Sequence, residues 1–236
     1  YRTAPFMVWN GKVTKTEIDR MLKDFKDAGC GGAFIHPRPG MITEYMSDEW
    51  HSLYRYAVDK GKEIGLDIWI YDENSYPSGF AGGHVPEEMP ESYNQGQGLA
   101  LTKTDLLPDK TDEYFIILKK EGDKWADITN ALSQHKKAKG EYYLYKKTYL
   151  GKSDWYGGYS YVDLLVPGVT EKFIDLTMKG YEKTIKDEFG KSVFGIFTDE
   201  PNISSPGGLR WTPDLFEVFR KQWGYDLKPL LPLLNE

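Results

Sequence analysis

Two strand ends carry the residues best suited to chemistry. Phe194-Gly-Ile-Phe-Thr-Asp-Glu-Pro-Asn202 reads as a short apolar strand that stops in two carboxylates, Asp199 and Glu200, then a proline and Asn202. Leu66-Asp-Ile-Trp-Ile-Tyr-Asp-Glu-Asn74 repeats the pattern upstream and ends in Asp72, Glu73 and Asn74. An apolar run followed at once by acids is a buried strand that delivers charge to the rim of a sheet. In parallel α/β folds that rim is where ligands bind. Two Asp-Glu pairs facing one pocket suit the cleavage of an acetal, in which one carboxyl protonates the leaving oxygen and another directs water or attacks. The acid must stay protonated near neutral pH, which requires desolvation or a neighbouring carboxylate.

Glu200, beside Asp199 on a buried strand, fits the acid. Its other reading is a capping or salt-bridging glutamate. Glu73 is the next carboxylate, either catalytic or a partner to His36 or Arg38. Asp72 and Asp199 have a second role open to them, holding sugar hydroxyls. The same rim collects Trp9 and Asn10 after the first apolar run and His36 and Arg38 after the second. Arg38 lies between two prolines, and that rigid backbone aims the guanidinium at a fixed target: a ligand hydroxyl or carboxylate, or an internal acid. Tyr76 and His84 lie in the Gly-rich loop after Asn74, and Asn202 and Trp211 follow Glu200. Aromatic rings suit a ligand with polar edges and apolar faces.

These residues need elements to position them. Phe6–Trp9 is a short strand closed by Asn10-Gly11. Thr14 and Glu17 form a capping box, in which Glu17 is expected to reach back to the cap. Ile18, Met21, Leu22 and Phe25 then follow helical spacing until the glycines at 29, 31 and 32. Ala33–Ile35 is a second strand. Ser47-Asp-Glu49 starts a second helix with its acids at the positive end, and Gly65 stops it. A third strand over 67–71 leads into the loop 72–83. Residues 98–165 break this rhythm with four strands and turns, read as a small antiparallel β insertion or a looser excursion with two hairpins. A third helix spans about 170–189 and a fourth strand 193–197. Thr212-Pro213 opens a fourth helix that ends at Gly224.

Four strand–helix units of this kind build a parallel sheet. Eight close a TIM-type (β/α) barrel. The expectation is therefore a barrel of which about the first four units are present, and an open four-stranded α/β sheet is the structural alternative. The units run 1–97 and 166–236, with the β-rich insertion over 98–165. The chain starts at Tyr1 without Met or a signal-peptide pattern, and reads as a piece of a longer protein.

Composition narrows the function classes. Among 236 residues, 40% are apolar and 15% aromatic, with seven Trp and seventeen Tyr. The net charge is −6, and the basic residues are scattered, so nucleic acid is not expected as a partner. No run of apolar residues is long enough for a membrane span. Cys30 is the one cysteine, so no intrachain disulfide forms. No His pair has zinc-ligand spacing and no metal is assigned, although Asp, Glu and Asn oxygens gathered by the fold have the chemistry for Ca²⁺. The oligomeric state is not legible.

Trp9-Asn-Gly11, Gly31-Gly-Ala-Phe-Ile-His-Pro-Arg-Pro-Gly40, Tyr71-Asp-Glu-Asn-Ser-Tyr-Pro-Ser-Gly-Phe-Ala-Gly-Gly83, Phe197-Thr-Asp-Glu-Pro201 and Trp223-Gly-Tyr-Asp-Leu227 together resemble bacterial α-L-rhamnosidase-like glycoside hydrolases. These are the family 106 type and its relatives, abundant in gut bacteria. The resemblance covers nearly the whole chain, thinly in the insertion. It implies a (β/α)₈ barrel, a secreted or periplasmic location, and hydrolysis of plant or host glycans. It implies for Glu200 the role of acid or acid/base; Glu73 and Asp199 are read from the residues themselves as supporting it or supplying the second carboxylate. A non-catalytic carbohydrate-binding domain and a metal-dependent hydrolase are the rival classes.

Overall fold

A computed structural model describes residues 2–135 and 137–235; Tyr1, Lys136 and Glu236 lie outside the described residues. In chain order the elements are β1 (Phe6–Trp9), α1 (Lys15–Asp27), β2 (Gly32–Pro37), α2 (Asp48–Ile64), β3 (Asp67–Tyr71), α3 (His84–Glu88), α4 (Glu91–Asn94), β4 (Gly98–Leu106), β5 (Ile116–Glu121), β6 (Lys124–Asp127), β7 (Lys139–Thr148), α5 (Val169–Leu176), α6 (Met178–Ile185), β8 (Ile196–Phe197), β9 (Leu209–Arg210) and α7 (Leu215–Trp223). They form two compact units. One holds the chain through Ser92 and Lys152–Asn202; the other holds Tyr93–Gly151 and the residues from Ile203 onward.

The first unit is built on a parallel sheet in the order β1-β2-β3-β8. Period-two alternation divides its side chains. Met7, Trp9, Ala33, Ile35, Ile68 and Ile70 are buried, and Trp9 packs edge-on to Trp50 of α2 at 5.3 Å. The other set is Phe6, Phe34, His36, Trp69, Tyr71 and Phe197, rings in mutual contact with Phe6 and Phe197 partly exposed. The caps match their chemistry: Thr14 Oγ1 accepts from the Glu17 amide at 3.2 Å, and Ser47 Oγ from the Trp50 amide at 3.2 Å. Glu17 does not reach back to the cap; its carboxylate pairs with Arg20 one turn on. Gly65 ends α2 at φ +67, where the missing Cβ removes the strain of a left-handed residue. The helix expected over 170–189 divides at Thr177 into α5 and α6.

The second unit is an antiparallel sheet in the order β6-β5-β7-β4-β9. Its core joins Leu99, Ile116, Leu118, Tyr143, Tyr145 and Trp211, with Leu215, Phe216 and Phe219 of α7 packed against them.

This arrangement corrects the expected barrel. The parallel sheet is open, with edges at β1 and β8, and the antiparallel sheet is a five-stranded body with its own core. The fourth strand is only two residues long, and the helix after it spends its apolar stripe on the antiparallel sheet. A strand and helix therefore follow one another without forming a fourth barrel unit. Among the described residues no helix is long and apolar enough to cross a membrane.

Candidate functional site

The ends of β2, β3 and β8 bring Arg38, Asp72, Glu73 and Asp199 to one edge of the parallel sheet, and the backbone of 75–83 folds over them. Strand register sets this: Tyr71 pairs with Phe197, so the acids that follow each strand arrive together. Ser78 then ties the two strand ends. Its hydroxyl donates to Asp72 Oδ1 at 2.6 Å and accepts from the Asp199 amide at 2.8 Å. Its own amide donates to the Asp199 carbonyl at 2.7 Å. Asp72 is buried, and its second oxygen accepts from Thr198 Oγ1 at 2.6 Å. Burial pushes its pKa up, opposed by those two hydroxyls.

Glu73 is fully buried in a cup of backbone amides. Oε2 accepts from Gly79, Phe80 and Ala81 at 3.0, 2.9 and 2.8 Å. Oε1 accepts from Asn74 and Gly82 at 2.8 and 2.6 Å. Left-handed backbone at Gly79, Ala81, Gly82 and Gly83 turns successive amides inward, the geometry of a backbone anion nest. This explains the glycines of the loop. A Cβ on Gly79 would also stand 2.7 Å from Leu164 Cδ2. Burial pushes the carboxyl's pKa up to about 8, against the lowering effect of the amides. Both oxygens meet donors only, so the cup itself is shaped for a carboxylate acceptor even though burial works against the charge. Glu73 holds the loop and has no oxygen free for a ligand, which corrects its expected catalytic role.

Asp199 is half-buried, with Oδ2 2.7 Å from the Tyr71 hydroxyl. Glu200 is exposed, makes no hydrogen bond or ion pair among the described residues, and has φ +44. Asn202 is exposed, and its amide donates to the Tyr161 hydroxyl at 3.1 Å.

Arg38 lies half-buried with its guanidinium carbon 5.2 Å from the Tyr76 ring and 5.7 Å from the Trp155 ring. His36 is fully buried, stacked on Phe6 at 4.8 Å and edge-on to Tyr71 at 3.9 Å. Both its ring nitrogens lack a partner among the described residues. Burial, aided by the charge of Arg38 and opposed by Asp199, drives its pKa down to about 4.

Other expected ligand contacts fall elsewhere. Trp9 and Trp211 are core residues of the two units, not sugar platforms, because their rings fill the packing under α2 and under α7. His84 Nε2 lies 3.0 Å from the Tyr45 carbonyl. Asn74 is half-buried behind the loop, and Asn10 is exposed with its carbonyl beneath Gly40. Among the described residues no group of three or more His, Cys, Asp or Glu is placed to hold a metal ion. The carboxylate oxygens of Glu73 are taken by amides and those of Asp72 by hydroxyls. Tyr71, Ser78 and Trp155 were not singled out from sequence. Trp155 sits in what reads as insertion, 79 residues from the Tyr76 carbonyl that its indole N–H meets.

Beside Asp72, Ser78 and Gly79 opens a cavity of about 360 Å³, walled by Phe173, Ile174, Met178 and Ile196. Its lining is mostly apolar, with Asp72 and Thr198 at one side.

No family model matches the chain, and no curated protein matches it. Among solved structures the chain is similar to the rhamnosidase from Novosphingobium sp. PP1Y, with 13% identity and a TM-score of 0.57. The match covers 99% of this chain and 41% of that one, so the chain spans well under half the length of that protein. At this identity the likeness is one of fold.

Proposed function

We propose that this rim binds carbohydrate and hydrolyses a glycosidic bond, with Glu200 as the proton donor. The contrast among neighbouring carboxylates carries the reading. Asp72 and Glu73 have all their oxygens engaged, and Asp199 is held through Tyr71 and Ser78. Glu200 alone of the four is exposed and unpartnered among the described residues. Its left-handed φ of +44 is strained for a side chain with a Cβ, at a cost of about 1–3 kcal/mol. Strain of that size at an exposed acid of the rim supports a functional position. The fold likeness to a rhamnosidase makes a rhamnoside the first substrate to offer.

The test is hydrolysis of a panel of aryl glycosides, α-L-rhamnoside included, by the chain and by Glu200→Gln. Turnover abolished in the variant supports the reading. Turnover equal in both refutes the role of Glu200.

One observation favours a second reading, sugar binding without cleavage. With Glu73 buried among amides, the rim keeps only Asp199 and Glu200 as carboxylates within reach of a ligand, and they are adjacent on one strand end. Sugar binding with no turnover of any glycoside would select it.

A further inference from the structure

Arg38 is the cation of this rim, and among the described residues it has no ion pair. Pro37 and Pro39 fix its backbone, and two rings hold its head. The Tyr76 and Trp155 rings meet edge to face, 5.3 Å apart at 87°. The guanidinium carbon stands 5.2 and 5.7 Å from their centres, within cation–π reach. The indole N–H of Trp155 donates to the Tyr76 carbonyl, which locks the pair. Among the described residues the guanidinium makes no hydrogen bond and no ion pair. Three of the four rim acids have other partners: Glu73 in amides, Asp72 in Ser78 and Thr198, and Asp199, through one oxygen, in Tyr71. Glu200 makes no ion pair with Arg38 among the described residues. His36 lies beside it and lacks a partner of its own.

A guanidinium offers five donors in a planar fork that matches a carboxylate in bidentate fashion. The rings take no hydrogen bond from the guanidinium, so its N–H donors are left to a ligand. In a chain of net charge −6, a half-buried cation without a counter-ion is a local attractor for an anion. An internal acid, one of the targets open from sequence, does not pair with Arg38 among the described residues.

We propose that Arg38 receives the carboxylate of a sugar acid, so that the site takes uronate-bearing glycans. This deepens the carbohydrate reading above and rests on it. Tyr76 and Trp155 supply the flat walls for the sugar ring, and Arg38 supplies the charge.

The experiment titrates the chain with galacturonate and glucuronate oligosaccharides and with their methyl esters, which keep the sugar and lose the charge. The acids are expected to bind roughly 10–100-fold more tightly than the esters, the margin of a charge-assisted contact. Added salt should erode that margin. Arg38→Gln should abolish the preference for acid over ester, and Arg38→Lys should keep part of it. Equal affinity for acid and ester would overturn the assignment, as would a preference that survives in Arg38→Gln. Binding of neither would overturn it too. The carbohydrate reading stands or falls separately on the aryl glycoside panel, so the two failures are told apart.

Discussion

The Tyr71 hydroxyl lies 2.7 Å from Asp199 Oδ2, which joins the last residue of β3 to the acid that follows β8. The same oxygen is 2.5 Å from the Ser75 carbonyl, so one proton serves two acceptors. The Tyr71 ring is also stacked on Phe197 at 5.7 Å and 11°. The ring and the hydroxyl therefore do separable jobs.

Tyr71→Phe keeps the ring and removes the link. Chemical denaturation should show a loss of about 1 kcal/mol, the net worth of one hydrogen bond, with an unchanged circular dichroism spectrum. On the proposed function, turnover should fall as well, because Asp199 is no longer held. Full activity with the same stability loss would assign the link to stability alone.

Glu73 carries the conformation of the loop. Removing its carboxylate leaves five inward amides without their acceptor. Glu73→Gln sets an amide donor against amide donors and should cost about 3 kcal/mol or more. Urea denaturation measures this, and amide exchange at residues 79–82 should quicken. A cost under about 1 kcal/mol would show that water replaces the carboxylate and that the cup is not structural.

Two tryptophans separate packing from binding. Trp9→Ala opens a hole under α2 and should destabilise by about 3–5 kcal/mol. Trp155→Ala, at a half-buried ring, should cost well under half as much yet weaken sugar binding at the rim. Denaturation and ligand titration of both variants check this. Equal destabilisation would mean that Trp155 is core as well.

What the sequence made legible follows period and caps. Alternation and helical spacing located β1 to β3, α1 and α2, because each buries one face and the caps are local. The acids after β3 and β8 were also visible, since an apolar run ending in charge is a local signal. Partner choice was not. The stripe Leu215, Phe216, Phe219 reads the same whether it packs on a parallel or an antiparallel sheet, and the count of barrel units failed there. Trp9 has a rim address and a core side chain; the strand's last residue points to the helices by the same alternation that buries Met7. Glu73 looked catalytic because residue type and position fit, and only the folded loop reveals five donors aimed at it. Trp155 reaches Tyr76 across 79 residues, which no local pattern encodes.

His36 should make stability depend on pH. Its folded pKa is depressed to about 4 by burial and by Arg38, from 6.5. Between those values the unfolded chain binds a proton that the folded chain refuses. Stability on this account is complete above about pH 6.5 and drains away as the pH falls toward 4. A shift of that size amounts to at most about 3 kcal/mol. His51 is depressed in the same direction by burial, so it adds to the same window. Urea midpoints across this range should fall with acid in the parent chain. In His36→Phe the fall should shrink, leaving the part due to His51 and the carboxylates. An unchanged slope in that variant would mean that the folded site accommodates the imidazolium, with Asp199 nearby as its counter-charge.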